Sequence, residues 1–596
     1  MNSVQSVATI APFKVNSMQF IKTLARLSFL FFPVIAFSQS SLLPQGNKYK
    51  QLINRLEIKT RDSSLMFSHI QPFSRKELVQ ATEKYYVPGK FIESLGEIPA
   101  SAGDSVSKIN KIAGTLTHVD LEYMQDAMMN NAEWVAGDKS SFNSRKPWIK
   151  TFYKTKSDFL QVDTKDFFLS VNPVLQQLQS FEQDNDERVF LNSKGITMRG
   201  LVAKKIGFDF YLTDNQERLP TFAKQRVDSF HAVPGAGYYK PFKTTAYDYF
   251  DARGSIYFNV TRFINVQFGY DKNFIGSGYR SLLWSDYSSN NLFLKLNLRI
   301  WKLNYQTTFY QLVPQYIRGG DELIPKKYAA THHLSVNATK WLNVGLFESV
   351  IFGRLDNFDL SYLNPIIFLR SIEQQNGSPD NANIGFDFKA NVAKRLQFYG
   401  QLMFDEFKLD QAKSGDGWWG NKFGVQLGAK YIDAFGIKNL DLQGEMNFVR
   451  PYTYSHKDSV ANYSHYNQPL AHPLGGNFAE AIGIIRYQPH RKWLTELKMI
   501  VYRQGVDSGG INYGSNIFEY YTTRPYDYGF KIGTGLKTTC FNASAYVAYE
   551  VLENLFLEAS YMYRKFDVPD KSSLSKNTSM FTLGVRMNMF RREYDY

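Results

Sequence analysis

From about residue 160 onward, apolar and polar side chains alternate with a period of two. Leu440, Leu442, Gly444, Met446 and Phe448 share one face, while Asp441, Gln443, Glu445 and Asn447 share the other. The same alternation runs through 396–405, 423–431, 557–564 and 581–589. These segments are nine to eleven residues long, the length a tilted membrane strand needs. Their polar faces carry full charges, as a wet barrel lumen would require. Aromatic residues gather at segment ends, as at Trp418-Trp419 and Tyr561-Tyr563-Phe566, and read as interfacial girdles. A secreted sandwich would share the alternation but not these three features together.

Before residue 160 the period is helical. Tyr49, Leu52, Ile53 and Leu56 fall at i, i+3, i+4 and i+7, and Ser74 and Glu77 have capping-box spacing ahead of Leu78, Ala81, Thr82 and Tyr85. Leu121, Met124 and Met128 share a third helical face, and 89–103 reads as loop. The N-terminus has the form of an export signal: Lys22 and Arg26, an apolar run over 27–37, then Ala36-Phe37-Ser38 before Gln39. Met18 then becomes the expected start, and the absence of cysteine at the cleavage site argues against a lipoprotein. After this leader there is no apolar run of about 18 residues, which excludes a helical membrane protein and leaves a β-barrel open.

The expected architecture is an all-β, transmembrane, antiparallel up-and-down barrel. The segments from 167 to 590 number 18 or 19, so about 18 strands are expected, with 16 as the alternative because bacterial barrels close on an even number. The expected divisions are a signal peptide at 1–38, a small helical periplasmic segment at 39–160 and the outer-membrane barrel at 161–596. Long polar insertions at 226–249, 356–383, 451–475 and 504–526 read as extracellular loops.

Composition agrees with a barrel: among 596 residues there are 38 Tyr, 48 Phe and 8 Trp, residues that favour strands. The formal charge is +14, and the leader's three basic residues leave +11 on the mature chain. Such a charge suits an acidic glycan or lipopolysaccharide phosphates, while an exported chain does not meet nucleic acid. The single cysteine, Cys540, excludes an intrachain disulfide and reads as an inert buried or lipid-facing thiol.

Catalytic constellations are poor. Asp405 and Glu406 are adjacent in a strand and should diverge, and Asp441 and Glu445 lie roughly 13 Å apart along one, beyond glycosidase separations. His332-His333 should also diverge. Asp356 and Asp359 lack a calcium-loop pattern, and Gly276 and Gly278 read as backbone kinks rather than a dinucleotide fingerprint. No enzyme, cofactor or metal site is expected. Sugar recognition is better served, because aromatic faces take the apolar side of pyranose rings and fixed guanidinium forks take carboxylates. Candidate residues are Tyr279, Arg280, Trp284 and Asp286 in one segment, and Arg354, Asp356, Tyr362, Arg370, Glu373 and Asp380 in another. Salt bridges that stiffen loops or plug the lumen would use the same residue types.

The strings GSGYRSLLWSD (276–286), YLNPIIFLRSIEQQNGSPDN (362–381), NQPLAHPLGGNFAE (467–480) and NYGSNIF (512–518), with VNPVLQ (171–176) and FYLTDNQERLP (210–220), carry a resemblance. Together they are similar to the capsule-assembly Wzi-like outer-membrane family, and most to its Bacteroidetes branch associated with gliding motility, RemB. The resemblance covers most of 165–590. It implies a monomeric barrel with a periplasmic helical bundle, binding surface polysaccharide and tied in this branch to gliding and spreading. It also implies outer-membrane lipid or lipopolysaccharide contacts and envelope or motility partners. A solute channel or an envelope-complex scaffold is the alternative.

Overall fold

The computed structural model describes residues 40–86, 115–315 and 322–596. The leader expected at 1–38 and the loop expected at 89–103 lie outside the described residues. Among the described residues, eighteen long antiparallel strands close into one barrel. They are β1 (Phe167–Glu182), β2 (Val189–Val202), β3 (Ile206–Arg218), β4 (Ala246–Asn259), β5 (Ile264–Asp271), β6 (Asn291–Ile300), β7 (Leu303–Leu312), β8 (Lys327–Asn337) and β9 (Leu342–Phe352). The circuit continues with β10 (Asn381–Val392), β11 (Leu396–Glu406), β12 (Lys422–Tyr431), β13 (Leu440–Val449), β14 (Phe478–Tyr487), β15 (Trp493–Val506), β16 (Leu536–Leu552), β17 (Leu555–Asp567) and β18 (Lys576–Met587). Met580↔Glu182 through Met587↔Leu175 join β18 to β1, leaving no free edge. No described helix is long and apolar enough to cross a membrane.

The period of two becomes inside and outside. On β13, Asp441, Glu445 and Asn447 are buried in the lumen, whereas Met446 faces outward and is 54% exposed. One rim carries short turns, as at 203–205, 301–302 and 553–554; the other carries every long loop. In outer-membrane barrels the short turns face the periplasm.

The lumen is not a wet channel but a packed interior. From the short-turn rim, three helices enter: α1 (Lys50–Thr60), α2 (Arg75–Tyr85) and α3 (His118–Met129). The Ser74 side chain caps α2 by accepting the Glu77 N–H, and Thr117 with Asp120 forms a full capping box on α3. Leu52, Ile53, Leu56, Leu78, Tyr123 and Met124 make a small apolar core. The bundle's outer surface is charged and pairs with the charged lumen. Arg55 bonds Asp120 at 2.6 Å, Asp433 at 2.8 Å and also Asp441; Lys59 reaches Asp433 at 2.7 Å. Glu57 meets Lys389 at 2.8 Å, and Lys48 meets Glu550 at 2.9 Å. Many of the charges expected on a solvated face are therefore buried in ion pairs.

From the other rim, the loop after β3 carries helix α4 (Thr221–Phe230), and the loop between β5 and β6 turns down into the lumen. Its Phe274-Ile275 pairs with Ile70-Gln71 of the N-terminal segment, so plug and inward loop meet inside the barrel. Gly278 is required there, because a Cβ would sit 2.5 Å from Glu445 Oε2 and 2.8 Å from the Arg280 carbonyl.

Candidate functional site

The structure distributes the ten candidate residues between two sides of the barrel wall. Tyr279, Arg280, Trp284 and Asp286 lie on the inward loop. The Tyr279 and Arg280 N–H groups donate to Glu445 at 2.6 and 3.0 Å. Trp284 is stacked on Tyr310 with ring centroids 4.2 Å apart, within an apolar lumenal cluster. Asp286 supplies its carbonyl to Lys272 at 3.1 Å.

The remaining face of this group is filled by the chain itself. After β18, residues 588–596 turn back through the lumen. Arg592 pairs with Glu217 at 2.9 Å, and Tyr594 donates to Glu217 at 2.6 Å. The Arg280 guanidinium bonds the Asp595 carboxylate at 3.2 Å and its carbonyl at 2.7 Å, and Lys498 reaches Asp595 at 2.8 Å. Burial opposes ionisation of Asp595, but Arg280 and Lys498 outweigh it and hold the carboxyl below the ordinary range.

Arg354, Asp356, Tyr362, Arg370, Glu373 and Asp380 sit on residues 353–380, which fold down the outside of the wall. The parity of β9 shows this: Phe347 and Ile351 belong to the lumenal cluster, while Val350 and Phe352 pack with Tyr362 and Leu369. Arg354 forms a bidentate pair with Asp380, both contacts at 2.7 Å, and the Tyr362 hydroxyl donates to Asp380 at 2.6 Å. The Asp356 carboxylate accepts the Lys326 N–H. Arg370 pairs with Glu373 on the short helix α5 (Leu369–Gln375). The two groups are thus separated by the wall and form no common site.

A different cluster occupies the long-loop rim. The loop after β11, with helix α6 (Leu409–Ser414), meets the 507–535 loop through paired backbone bonds: Trp419 N–H to the Asp527 carbonyl at 3.0 Å, Phe530 N–H to Gly417 at 2.9 Å and Gly529 N–H to Asp416 at 2.8 Å. This clamp brings rings together. The Arg524 guanidinium lies 4.1 Å over the Trp419 ring while pairing with Asp527 at 2.7 Å. Trp419 is 4.8 Å from Tyr521, and Tyr526 stacks on Phe530 at 4.6 Å. Tyr520, Tyr526 and Tyr528 stay open, Tyr528 being 51% exposed. Beneath them, Lys422 lies 4.7 Å from Tyr521. Burial, then Lys422 and Lys457, push the neighbouring His456 down to about 4.

This cluster escaped sequence reasoning because Trp418-Trp419 reads as a girdle and 504–526 as an undifferentiated loop. The density of Tyr, Trp and Arg in WWGN (418–421) and YYTTRPYDYGF (520–530) was the available signal. Aromatic faces beside a guanidinium and a carboxylate can take the apolar and polar sides of a sugar ring.

Two expectations about adjacent residues resolve differently. His332 and His333 diverge, His332 outward to Glu348 at 2.7 Å and His333 inward to Asp387 at 3.0 Å. Asp405 and Glu406 do not: a bulge on β11 lets both reach Lys422, at 3.0 and 3.2 Å. Cys540 is buried within the lumenal cluster. His69, His333 and Asp387 bring ligand atoms within 4.8 Å of one another, the arrangement among the described residues that could hold a metal. His333–Asp387 is at hydrogen-bond distance, and His69 Nε2 is 3.4 Å from the Ser335 hydroxyl, so the trio ties plug to wall with its own partners.

Comparison with solved structures gives a fold likeness over most of the chain. Wzi, an outer-membrane protein involved in group 1 capsule assembly in Escherichia coli and described as a carbohydrate-binding β-barrel, matches with TM-score 0.52 and 13% identity, over 92% of this chain and all of that one. OprD of Pseudomonas aeruginosa matches with TM-score 0.40 and 11% identity, over 70% of this chain and 94% of that one. OccAB2 of Acinetobacter baumannii matches with TM-score 0.39 and 9% identity, over 70% and 97%. No family model and no curated protein matches the chain. The fold is that of an eighteen-stranded outer-membrane barrel.

Proposed function

We propose that this barrel is a non-enzymatic binder of surface polysaccharide, acting as a monomer in capsule or exopolysaccharide assembly. The observation that carries the reading is the rim cluster in which half-buried Trp419, Tyr521 and Arg524 are bordered by the exposed rings of Tyr520, Tyr526 and Tyr528, with a guanidinium and a carboxylate in reach, above a lumen packed with protein. The likeness to Wzi supports the class of ligand, and the mature charge of +11 favours an acidic polymer or lipopolysaccharide phosphates. Arg280 and its neighbours act in this reading as lumenal struts, because their charges are already met by Glu445 and Asp595. Arg354, Asp380 and Tyr362 likewise hold their loop together. The branch resemblance adds surface spreading as a consequence of polymer retention.

The test is titration of acidic and neutral polysaccharides onto the purified barrel, followed by tryptophan fluorescence. Trp419→Ala and Arg524→Ala should each weaken binding about tenfold or more while leaving heat-modifiable gel mobility unchanged. Unaltered affinity in both would remove the rim site. In cells, loss of the protein should shift polymer from the cell-bound to the shed fraction and reduce spreading.

The channel reading draws on the barrel alone. It requires an open lumen, whereas helices, inward loop and tail fill this one. Stable conductance steps from the wild-type protein in planar bilayers would favour it.

A further inference from the structure

We infer that residues 353–380 form a lipid-inserted strap: an extracellular loop that folds back down the barrel wall and lies in the outer leaflet, its tip at acyl-chain depth. The strap is a hairpin. It stays at the rim from Gly353 to Tyr362, where Tyr362 stacks on Phe352 with ring centroids 4.7 Å apart, descends through residues 363–368 and rises again along α5 to Asp380. Its two limbs meet near the top, where Asn376 Nδ2 approaches the Ser361 hydroxyl at 3.3 Å, and the Arg354–Asp380 pair closes its base.

The depth follows from register. Glu348 lies on the outward face of β9, four residues below Phe352, and is paired across the ladder with His332 of β8. Four residues of strand span about 13 Å along its axis. At that level Glu348 accepts the Leu369 N–H at 3.0 Å, at the start of α5. The strap tip goes at least as far, because the Tyr305 hydroxyl of β7, near the short-turn end of its strand, donates to the Pro365 carbonyl.

This position explains a polar group where none should be. A carboxylate and an imidazole left bare on the lipid face of a wall would disfavour insertion. Here the strap covers both, leaving Glu348 and His332 buried against each other. The surface then shown to the membrane is apolar again: Leu360, Leu363, Ile366, Ile367 and Phe368 are exposed, Ile366 by 86%. They continue the lipid-facing belt on either side, Leu294 and Leu298 of β6 and Ile384, Phe386 and Phe388 of β10, with Phe386 at 47%. Acyl chains are therefore the occupant that this patch fits, by continuity with the membrane belt of the barrel. Arg370 is the one charge near the tip. Its partner Glu373 is one turn higher, and its long stem lets the guanidinium reach toward the headgroups.

The experiment places a spin label on the full-length protein in liposomes. Because native Cys540 is buried, Ile366→Cys provides one reactive surface thiol. Met446→Cys serves as the wall reference and Lys413→Cys, on exposed α6, as the aqueous one. The expected result is an oxygen-to-nickel-chelate accessibility ratio at position 366 matching that at 446. A ratio matching 413 would overturn the strap. Low accessibility to both reagents would also overturn it, in favour of a second copy or another protein covering the patch. Since Ile366 is exposed and its replacement small, the labelled variant is expected to fold, and heat-modifiable mobility verifies that before the label is read.

Discussion

Asp595 and Arg280 are 315 positions apart in sequence, yet the guanidinium grips both the carboxylate and the carbonyl of the tail residue inside the barrel. Both side chains are largely buried, so the pair locks the tail to the inward loop. Arg280→Ala should leave Asp595 and Glu480 with one cation fewer in a buried site, at a cost of about 3–5 kcal/mol. Arg370→Ala should cost less, because Glu373 then still accepts a hydrogen bond from the Ser378 hydroxyl at 3.1 Å. The temperature at which each variant loses heat-modifiable mobility measures the difference. Equal temperatures would mean that the tail does not depend on Arg280.

Arg55 holds the plug to the wall through Asp433 and Asp441 and to α3 through Asp120. Arg55→Ala should strand three buried carboxylates near Lys59 alone and loosen the helices from the short-turn rim. The expected readout is limited proteolysis: the N-terminal segment becomes cleavable while the barrel core stays resistant. Unchanged protection would show that the apolar core and the remaining ion pairs suffice.

Met446 faces lipid near the middle of β13, and Met446→Arg should cost about 2–4 kcal/mol in assembly. Sequence alternation alone suggests that Leu442→Arg harms and that Gln443→Arg, on the polar face, is tolerated. The packed lumen changes the second expectation. Gln443 donates to the Tyr399 hydroxyl at 2.9 Å and accepts from Arg486 at 3.2 Å, so a new arginine would lose both bonds and crowd Arg486, whose charge already takes Glu496 at 2.8 Å. Both substitutions should therefore lower the yield of folded barrel, and normal yield for Gln443→Arg would indicate a wetter lumen.

His465 supplies an acid sensitivity. Its Nδ1 accepts the Val313 N–H at 2.9 Å, and its Nε2 lies 2.9 Å from the Asn290 carbonyl, so the neutral ring satisfies both. Burial pushes the imidazole down to about 3, with Lys327 and Lys272 acting in the same direction. The unfolded chain binds this proton near pH 6.5, so stability falls as pH drops from about 6.5 toward 3. Thermal unfolding at pH 7.5 and 4.5 should show the loss, and His465→Gln should flatten part of it. An identical acid loss in that variant would assign the effect to other groups.

The alternation of Leu442 with Gln443, repeated strand after strand, was enough to specify a barrel of about eighteen strands. Strand geometry turns every second side chain the same way, so local order carries that information. Ser74 with Glu77 marked a helix start for the same reason. What local order does not carry is which distant segments meet. The period of two says that Asp441 faces inward, but not that Arg55 waits there, so a packed, ion-paired lumen looks like an open one. Likewise Arg354 and Arg280 are equally plausible ligands in sequence, although one lies outside the wall and the other within it. Only closure of the barrel separates them: it fixes an inside and an outside, encloses the helices and the tail, and leaves 353–380 no lumen to enter. The same closure brings the loops after β11 and β15 to one rim, where Trp419 and Arg524, more than a hundred residues apart, become neighbours.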